Sequence, residues 1–364
     1  VGGGASLLGH ARTLDMYRAN AKKTGDPAIQ FEFACFMIDA AREMSAEELS
    51  PTDPSQAKSK QNELIKEAAG VLRRLADRGH VNAQYFLGDC YATGVIGKND
   101  ADGAGGVGMG KPDLERAFPL FVLAAKHGHA EASWRVGLSY EYGWGCKRDP
   151  HKAVQFLTKS ATANHPGAML RLGKAHMAGD LALKRDRREG VKWLKRAAEA
   201  ASVGYASAPY ELGLLHLVGV DEANIFKDEQ YAAQLFTKAA ELGHVEAAFR
   251  LGEAYEYGRL GLHPDAGLSI HFYAIAAQEG TGHSGAMLAL CAWCMVGAPP
   301  SLPKDEALAF EWALKAAEAG NPKAEYAVGY FLEMGIGRGR DVEGAREWYA
   351  RAIEHGDERA VARL

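Results

Sequence analysis

The sequence predicts an all-α chain: a right-handed α-solenoid of about eight stacked helix-turn-helix repeats, with two inserted inter-repeat loops, forming a single repeat domain over residues 1–364. Three observations predict it. Small residues recur at Ala34, Gly88, Gly137, Gly173, Gly213, Gly252, Cys291 and Gly329, and the last five gaps are 36, 40, 39, 39 and 38 residues. Relative to these markers, the position five earlier is alanine (Ala83, Ala132, Ala168, Ala208, Ala247, Ala286, Ala324) and the position six later is glycine (Gly94, Gly143, Gly179, Gly219, Gly258, Gly297, Gly335). An aspartate opens a second apolar stretch in seven units, at Asp113, Asp149, Asp186, Asp228, Asp265, Asp305 and Asp341. No alternating strand pattern of useful length appears.

The marker helix is defined by one face. The residue before each marker is apolar (Phe33, Leu87, Val136, Leu172, Leu212, Leu251, Leu290, Val328) and stands at helical spacing from the alanine row. Eight residues before the marker, five units carry a histidine: His80, His129, His165, His244 and His283. One such ring per unit reads as a turn or cap residue. Packed helices lie about 8–10 Å apart, and two helices separate successive copies, so these rings cannot share a metal ion.

The other helix is seen in AVQFLTKSATA, GVKWLKRAAEA, AAQLFTKAAEL and AFEWALKAAEA. Its aspartate is a preferred N-cap, because the carboxylate accepts orphan backbone N–H groups and its charge suits the positive helix end. Pro150 after Asp149 fits the first-turn preference of proline. This Asp-capped helix is taken as the first of each pair. Alanine and glycine let the two helices approach, while Trp193, Trp312, Trp348, Phe156 and Phe272 fill the space between pairs. A unit of this size cannot bury enough surface alone, so the stack itself supplies the core.

Two stretches depart from the period. The gap from Gly88 to Gly137 carries a surplus at 98–111, KNDADGAGGVGMGK, and 45–61 separates the first unit from the second. Both read as flexible insertions. The glycine-rich one contains G-x-x-x-x-G-K at Gly105 and Gly110-Lys111, and G-x-G-x-x-G at Gly103, Gly105 and Gly108. A phosphate loop must leave a strand and follow its lysine with Ser or Thr; here a helix precedes and Pro112 takes the hydroxyl position. Asp113, by register, already places a carboxylate where an anion would sit. Nucleotide binding is therefore not expected.

A net charge of -4 and a pI near 6.4 give no electrostatic footprint for nucleic acid. No run of about 18 apolar residues is present to span a bilayer. The five cysteines (Cys35, Cys90, Cys146, Cys291, Cys294) form no recurring pairs, which fits a reducing compartment. Cys291 and Cys294 spell C-x-x-C, yet within a helix and at the marker position, so they read as packing residues. No nucleophile with its base, zinc-binding H-E-x-x-H or stranded carboxylate pair is found. Catalytic residues, metal ligands and cofactors are expected to be none, and the chain is not expected to be an enzyme.

What remains is surface. Taking the first helix of each pair to line a concave face, the positions there outside the core pattern are Phe118, Val122, Val154, Thr158, Val191, Lys195, Thr237, Ile270, Phe310 and Leu314. Several are apolar where a solvated face would be polar, which points to a groove for a peptide or helix of another protein. On this basis, charge reversal at Val191 and Ile270 is expected to abolish partner binding and to leave the melting curve nearly unchanged.

Segments such as HVEAAFRLGEAYEYG and NPKAEYAVGYFLEMGIGRGRD resemble Sel-one-like repeats, relatives of the tetratricopeptide repeat, through an A-x-x-x-L-G-x-x-Y-x-x-G core that recurs seven times. Cys291 departs from it at the glycine, and His176, His216, Cys294 and Leu332 at the aromatic. The stretch YRANAKKTGDPAIQFEFACFMIDAA, Tyr17 to Ala41, further resembles the fungal chitin synthase regulators. That resemblance implies a non-enzymatic scaffold or activator that binds a cytosolic segment of a membrane chitin synthase, acting at the inner face of the plasma membrane at growth and septation sites. Bud-neck or septum scaffold proteins are implied as further partners, and membrane contact is implied only indirectly or through a C-terminal lipid anchor, whose cysteine box is not in this sequence. An adaptor of another multiprotein complex, for example in protein quality control, is the alternative, although no N-x-[ST] sequon supports a lumenal setting. DERAVARL follows the repeat register to Leu364 and stops before the next marker, so the sequence is expected to be a piece of a longer chain, with VGGG at its start consistent with a tag remnant.

Overall fold

The computed structural model describes residues 16, 18, 19, 23, 25–43, 54–97, 110–278 and 282–364. Among the described residues there are sixteen α-helices and no strand. In chain order they are α1 (Pro27–Glu43), α2 (Pro54–Asp77), α3 (Val81–Ala92), α4 (Leu114–Lys126), α5 (Ala130–Tyr142), α6 (Pro150–Thr162), α7 (Pro166–Ala178) and α8 (Arg187–Glu199). Then follow α9 (Ser207–Val218), α10 (Glu229–Glu241), α11 (Val245–Tyr257), α12 (Ala266–Ala276), α13 (Ser284–Val296), α14 (Glu306–Glu318), α15 (Pro322–Met334) and α16 (Val342–Glu354).

Two compact units result: Val1–Ala175 with Gly179–Lys184, and His176–Ala178 with Arg185–Leu364. In the first, a core built around Met37, Ile38, Ile65, Leu72, Leu87 and Phe121 runs through α1 to α5. In the second, Phe236, Leu251, Tyr273, Leu290, Val328 and Tyr349 form one continuous core from α10 to α16. The stretch 45–61 expected as an insertion is helical from Pro54 onward, because α2 begins there, with proline at a helix start where its missing N–H costs nothing. Residues 45–53 and 98–109 lie outside the described residues.

All seven aspartates are N-caps, each accepting the backbone N–H three residues on at 2.9–3.2 Å. The backbone N–H of each aspartate donates to the carbonyl three residues after a marker, as from Asp265 to Tyr255 (2.9 Å) and from Asp149 to Tyr140 (2.8 Å), which closes the turn between helices. The glycines six after the markers all have positive φ, from +65° at Gly258 to +81° at Gly143, a conformation that side chains with a Cβ rarely adopt.

The pairing of helices differs from the sequence-based order. The marker helices α3, α5, α9, α11, α13 and α15 each pack most closely on the Asp-capped helix that follows, as α11 on α12 and α15 on α16, and less closely on the helix before. The reason is steric. A Cβ on Gly252 would lie 2.5 Å from Cδ1 of Tyr273, one on Gly213 2.7 Å from Cε1 of Phe236, and one on Gly329 2.8 Å from Cδ1 of Tyr349. In the first unit, Gly88 and Gly137 stand in the same way against Phe121 (2.9 Å) and Leu157 (2.8 Å). Each opposing side chain is eight residues after the capping aspartate. At the seventh marker, Cys291 replaces glycine, and the residue eight after Asp305 is Ala313. Both are buried, so the larger marker faces the smaller partner and the seam keeps its volume.

This compensation predicts a double-mutant result. Ala313→Tyr alone overpacks the seam and should cost about 1–3 kcal/mol in urea unfolding. Adding Cys291→Gly should recover a coupling of about 1 kcal/mol or more, whereas additive effects of the two changes would contradict the pairing.

Candidate functional site

The histidine row organises the N-terminal ends of the marker helices. His80, His129, His165, His244 and His283 cap α3, α5, α7, α11 and α13, and in each the ring Nδ1 accepts the backbone N–H of the alanine three residues on, at 3.1–3.2 Å. Each ring also lies against an aromatic of the preceding hairpin: Phe31, Tyr85, Trp134, Tyr210 and Phe249, with centroids 4.0–5.4 Å apart. His165 Nε2 meets Glu131 at 2.6 Å, and His283 Nε2 meets Glu246 at 3.5 Å. These rings cap one helix and clasp its neighbour. At α15, Asn321 does the capping in place of histidine. Burial holds the His129 imidazole below its ordinary range, against a smaller opposing pull from Glu131.

The ten surface residues chosen from sequence fall in two rows on the Asp-capped helices. Phe118, Val154, Val191, Ile270 and Phe310 stand five residues after the aspartate; Val122, Thr158, Lys195, Thr237 and Leu314 stand nine after it. The first row is largely packing, with Val154 half-buried outside the two cores. Val191 is 3% and Phe310 5% exposed, and Phe118 and Ile270 are half-buried against the two cores. Neither Val191 nor Phe310 can touch a partner, and charge reversal at Val191 would bury an unpaired charge, so the expected unchanged melting curve is withdrawn. The second row is more open: Thr158 and Lys195 are exposed, and Val122, Thr237 and Leu314 half-buried. The two rows differ because the Asp-capped helix is covered on one side by its own marker helix and on another by the next.

Two of the ten, Phe118 and Lys195, line cavities among the described residues. In the first unit, Phe118 lines one of about 260 Å³ with Phe121, Arg135 and Trp144. In the second, Lys195 lines one of about 410 Å³ with Leu212, His216, Tyr231, Leu235 and Lys238. A larger hollow of about 660 Å³ lies between Phe249, Gly285, Leu288, Asn321 and Lys323, from the marker helices and their caps, and the segment Gly356–Arg359 that follows α16. Sequence reasoning missed it. One signal was present: Gly285, on its rim, stands at the position where Glu131 and Glu246 reach the next histidine, and it carries no side chain to cover the surface there.

Reactive chemistry finds no support in the thiols. Cys291 and Cys294 are buried in α13, and burial pushes the Cys291 thiol up to about 12, as it does for Cys90. Among the described residues, no group of three His, Cys, Asp or Glu side chains is placed to hold a metal ion. No described helix is long and apolar enough to cross a membrane.

Comparison with known proteins agrees with the geometry. The Sel1 repeat family model matches residues 81–129, 130–165, 166–202, 206–244, 245–281, 284–321 and 322–357, and each span begins at or just before a marker helix. The chain is 50% identical over 361 residues to the chitin synthase regulator SKT5 of Malassezia restricta, covering 99% of this chain and 24% of that protein. It is 40% identical over 367 residues to the chitin synthase regulator SKT5 of Saccharomyces cerevisiae, covering 99% of this chain and 50% of that protein. Thus the chain spans between a quarter and a half of the length of these relatives. In fold it is similar to c5321, a protective antigen of uropathogenic Escherichia coli with a TM-score of 0.66 and 24% identity, over 96% of this chain and 66% of that one. A Sel1 repeat protein from Oxalobacter formigenes is also similar, with a TM-score of 0.56 and 25% identity, over 98% of this chain and 91% of that one.

The histidine clasp predicts a pH effect. The folded-state pKa of His129 lies below the ordinary value of 6.5, so its contribution to stability is complete above that pH and is lost as pH falls through the folded value. His129→Asn keeps a cap, as Asn321 does, and loses the stacking on Tyr85 at a cost of about 1 kcal/mol. Its melting temperature should fall less than that of the parent chain between neutral and mildly acidic buffer; an equal fall would remove His129 from the titration.

Proposed function

The chain belongs to the Sel1 repeat family, and from that premise we propose that it is a non-catalytic regulator of a chitin synthase, which it binds through its repeat surface and localises or activates. The observation that carries this is the 50% identity, over nearly the whole chain, to a protein named as a chitin synthase regulator. The physical arrangement supports it. Caps, seams and clasps account for the recurring aspartates, glycines and histidines, and the side chains left over are distributed along helix faces and hollows suited to holding another polypeptide. In this reading the regulator works at the cytosolic face of the plasma membrane, at sites of growth and septation, where the synthase resides.

The exposed and half-buried members of the second row, Val122, Thr158, Lys195, Thr237 and Leu314, and the hollow beside Gly285 are the contact surfaces this function would use. The test is affinity capture from a detergent extract of fungal membranes with the tagged chain as bait. A chitin synthase should be enriched, and Gly285→Glu, which projects into the 660 Å³ hollow the side chain that Glu131 and Glu246 carry at the same position, should reduce its recovery several-fold at unchanged circular dichroism. Recovery of a ubiquitin-ligase complex with no synthase would contradict the proposal.

A further inference from the structure

Helix α8 is the charge anomaly of the molecule. From Arg185 to Arg196 there are six basic residues (Arg185, Arg187, Arg188, Lys192, Lys195, Arg196) against Asp186 and Glu189, in a chain of net charge -4. Asp186 is occupied as the N-cap, bonded to the Glu189 amide at 3.0 Å. Arg188, Lys192, Lys195 and Arg196 are all exposed and follow helical spacing, so they form one stripe. The same register positions on the other six Asp-capped helices, two, six and nine after the aspartate, hold no lysine or arginine; they include Glu115, Gln230, Glu311 and Glu347. The position ten after the aspartate, Arg196 here, is basic in four of those six helices (Lys159, Lys238, Lys315 and Arg351) and belongs to the repeat, whereas Arg188, Lys192 and Lys195 are additions to it.

Its present partners are weak. Lys192 pairs with Glu189 at 3.1 Å and Arg187 with Glu222 at 3.3 Å, both on the surface, Arg188 donates to the Glu222 carbonyl at 2.8 Å, and Arg196 lies 4.7 Å from the Trp193 ring centroid. Exposed pairs of this kind contribute little and exchange readily for a better acceptor. Beside Lys195 opens the 410 Å³ cavity, floored by Leu212 and Leu235, with Tyr231 and His216 meeting edge to face at 4.8 Å. Glu199 is the one acidic side chain on its rim, and Lys238 there is tied to the Ala198 carbonyl at 2.6 Å.

We propose that the exposed face of α8 is a docking site for an acidic polypeptide segment, whose carboxylates meet Arg188, Lys192 and Lys195 and whose apolar side chain enters the adjoining cavity. This deepens the function proposed above by giving the partner segment a chemistry. The stripe from Arg188 to Arg196 runs about 12 Å, roughly four residues of extended chain. A short segment is favoured over a membrane or a nucleic acid because an extended polyanion would also meet the negative remainder of the chain, and because a side-chain-sized apolar cavity adjoins the charges.

The test uses the whole chain and a fluorescein-labelled peptide, Glu-Glu-Leu-Glu-Glu, followed by anisotropy. Binding should weaken with added salt, and the variant R188E/K192E/K195E should bind about ten-fold more weakly. A control with the same change of net charge elsewhere, K152E/R259E/K304E, should bind as the parent does, and melting curves of all three should coincide. Equal weakening in both variants would overturn the site. So would sedimentation with phosphatidylcholine–phosphatidylserine vesicles that R188E/K192E/K195E abolishes while peptide binding persists. Failure to capture a synthase, with the peptide result intact, would remove the proposed function and leave this docking site; synthase capture with no peptide preference would do the reverse.

Discussion

A glycine with no room for a Cβ sets the architecture. Where Gly252 faces Tyr273, or Gly213 faces Phe236, a single added carbon would lie within 3 Å of a buried ring, so the two helices close on each other only in that register. Everything outward depends on it. The seam decides which helices form a hairpin, which side of the Asp-capped helix is covered, and hence why Val191 and Phe310 are interior while Thr158 and Lys195 are open. The Cys291 and Ala313 exchange follows the same volume rule from the opposite direction.

Much of this was legible because the responsible contacts are local. An aspartate that caps an amide three residues on, a glycine required by positive φ, and an apolar row at helical spacing all reside within a few residues of sequence, and each repeats seven times. The histidines read as turn or cap residues on the same grounds, and their Nδ1 atoms accept the alanine amides as caps do. The phase of the pairing was not legible. Two helices alternate along the chain, and a cyclic pattern looks the same whichever is taken first; only the distance across Gly252 and Tyr273 breaks the tie. The chosen surface inherited that error. A position outside an obvious core pattern need not be open, since burial of Val191 depends on neighbours distant in sequence. The basic stripe on α8 was present in the sequence as a departure from register, and Lys195 alone of it was picked out.

The division of labour among side chains has a functional reading. Residues that build the stack are small, capped or aromatic and are used at every repeat, so they carry no information about a particular partner. Information lies in positions that vary: Gly285 where two sister repeats hold Glu131 and Glu246, and Arg188, Lys192 and Lys195 where sister helices hold no lysine or arginine. A regulator that works by holding another protein needs such departures on a rigid frame, since preorganised contacts lose less on binding. The likeness to proteins named as chitin synthase regulators fits a frame of that type.

Residue-resolved native-state hydrogen exchange tests the seam most directly. Helices that open as one unit share an opening free energy. The account predicts that α11 and α12, joined at Gly252 and Tyr273, exchange together, and likewise α15 with α16. Exchange that groups α12 with α13, leaving α11 to open separately, would contradict it.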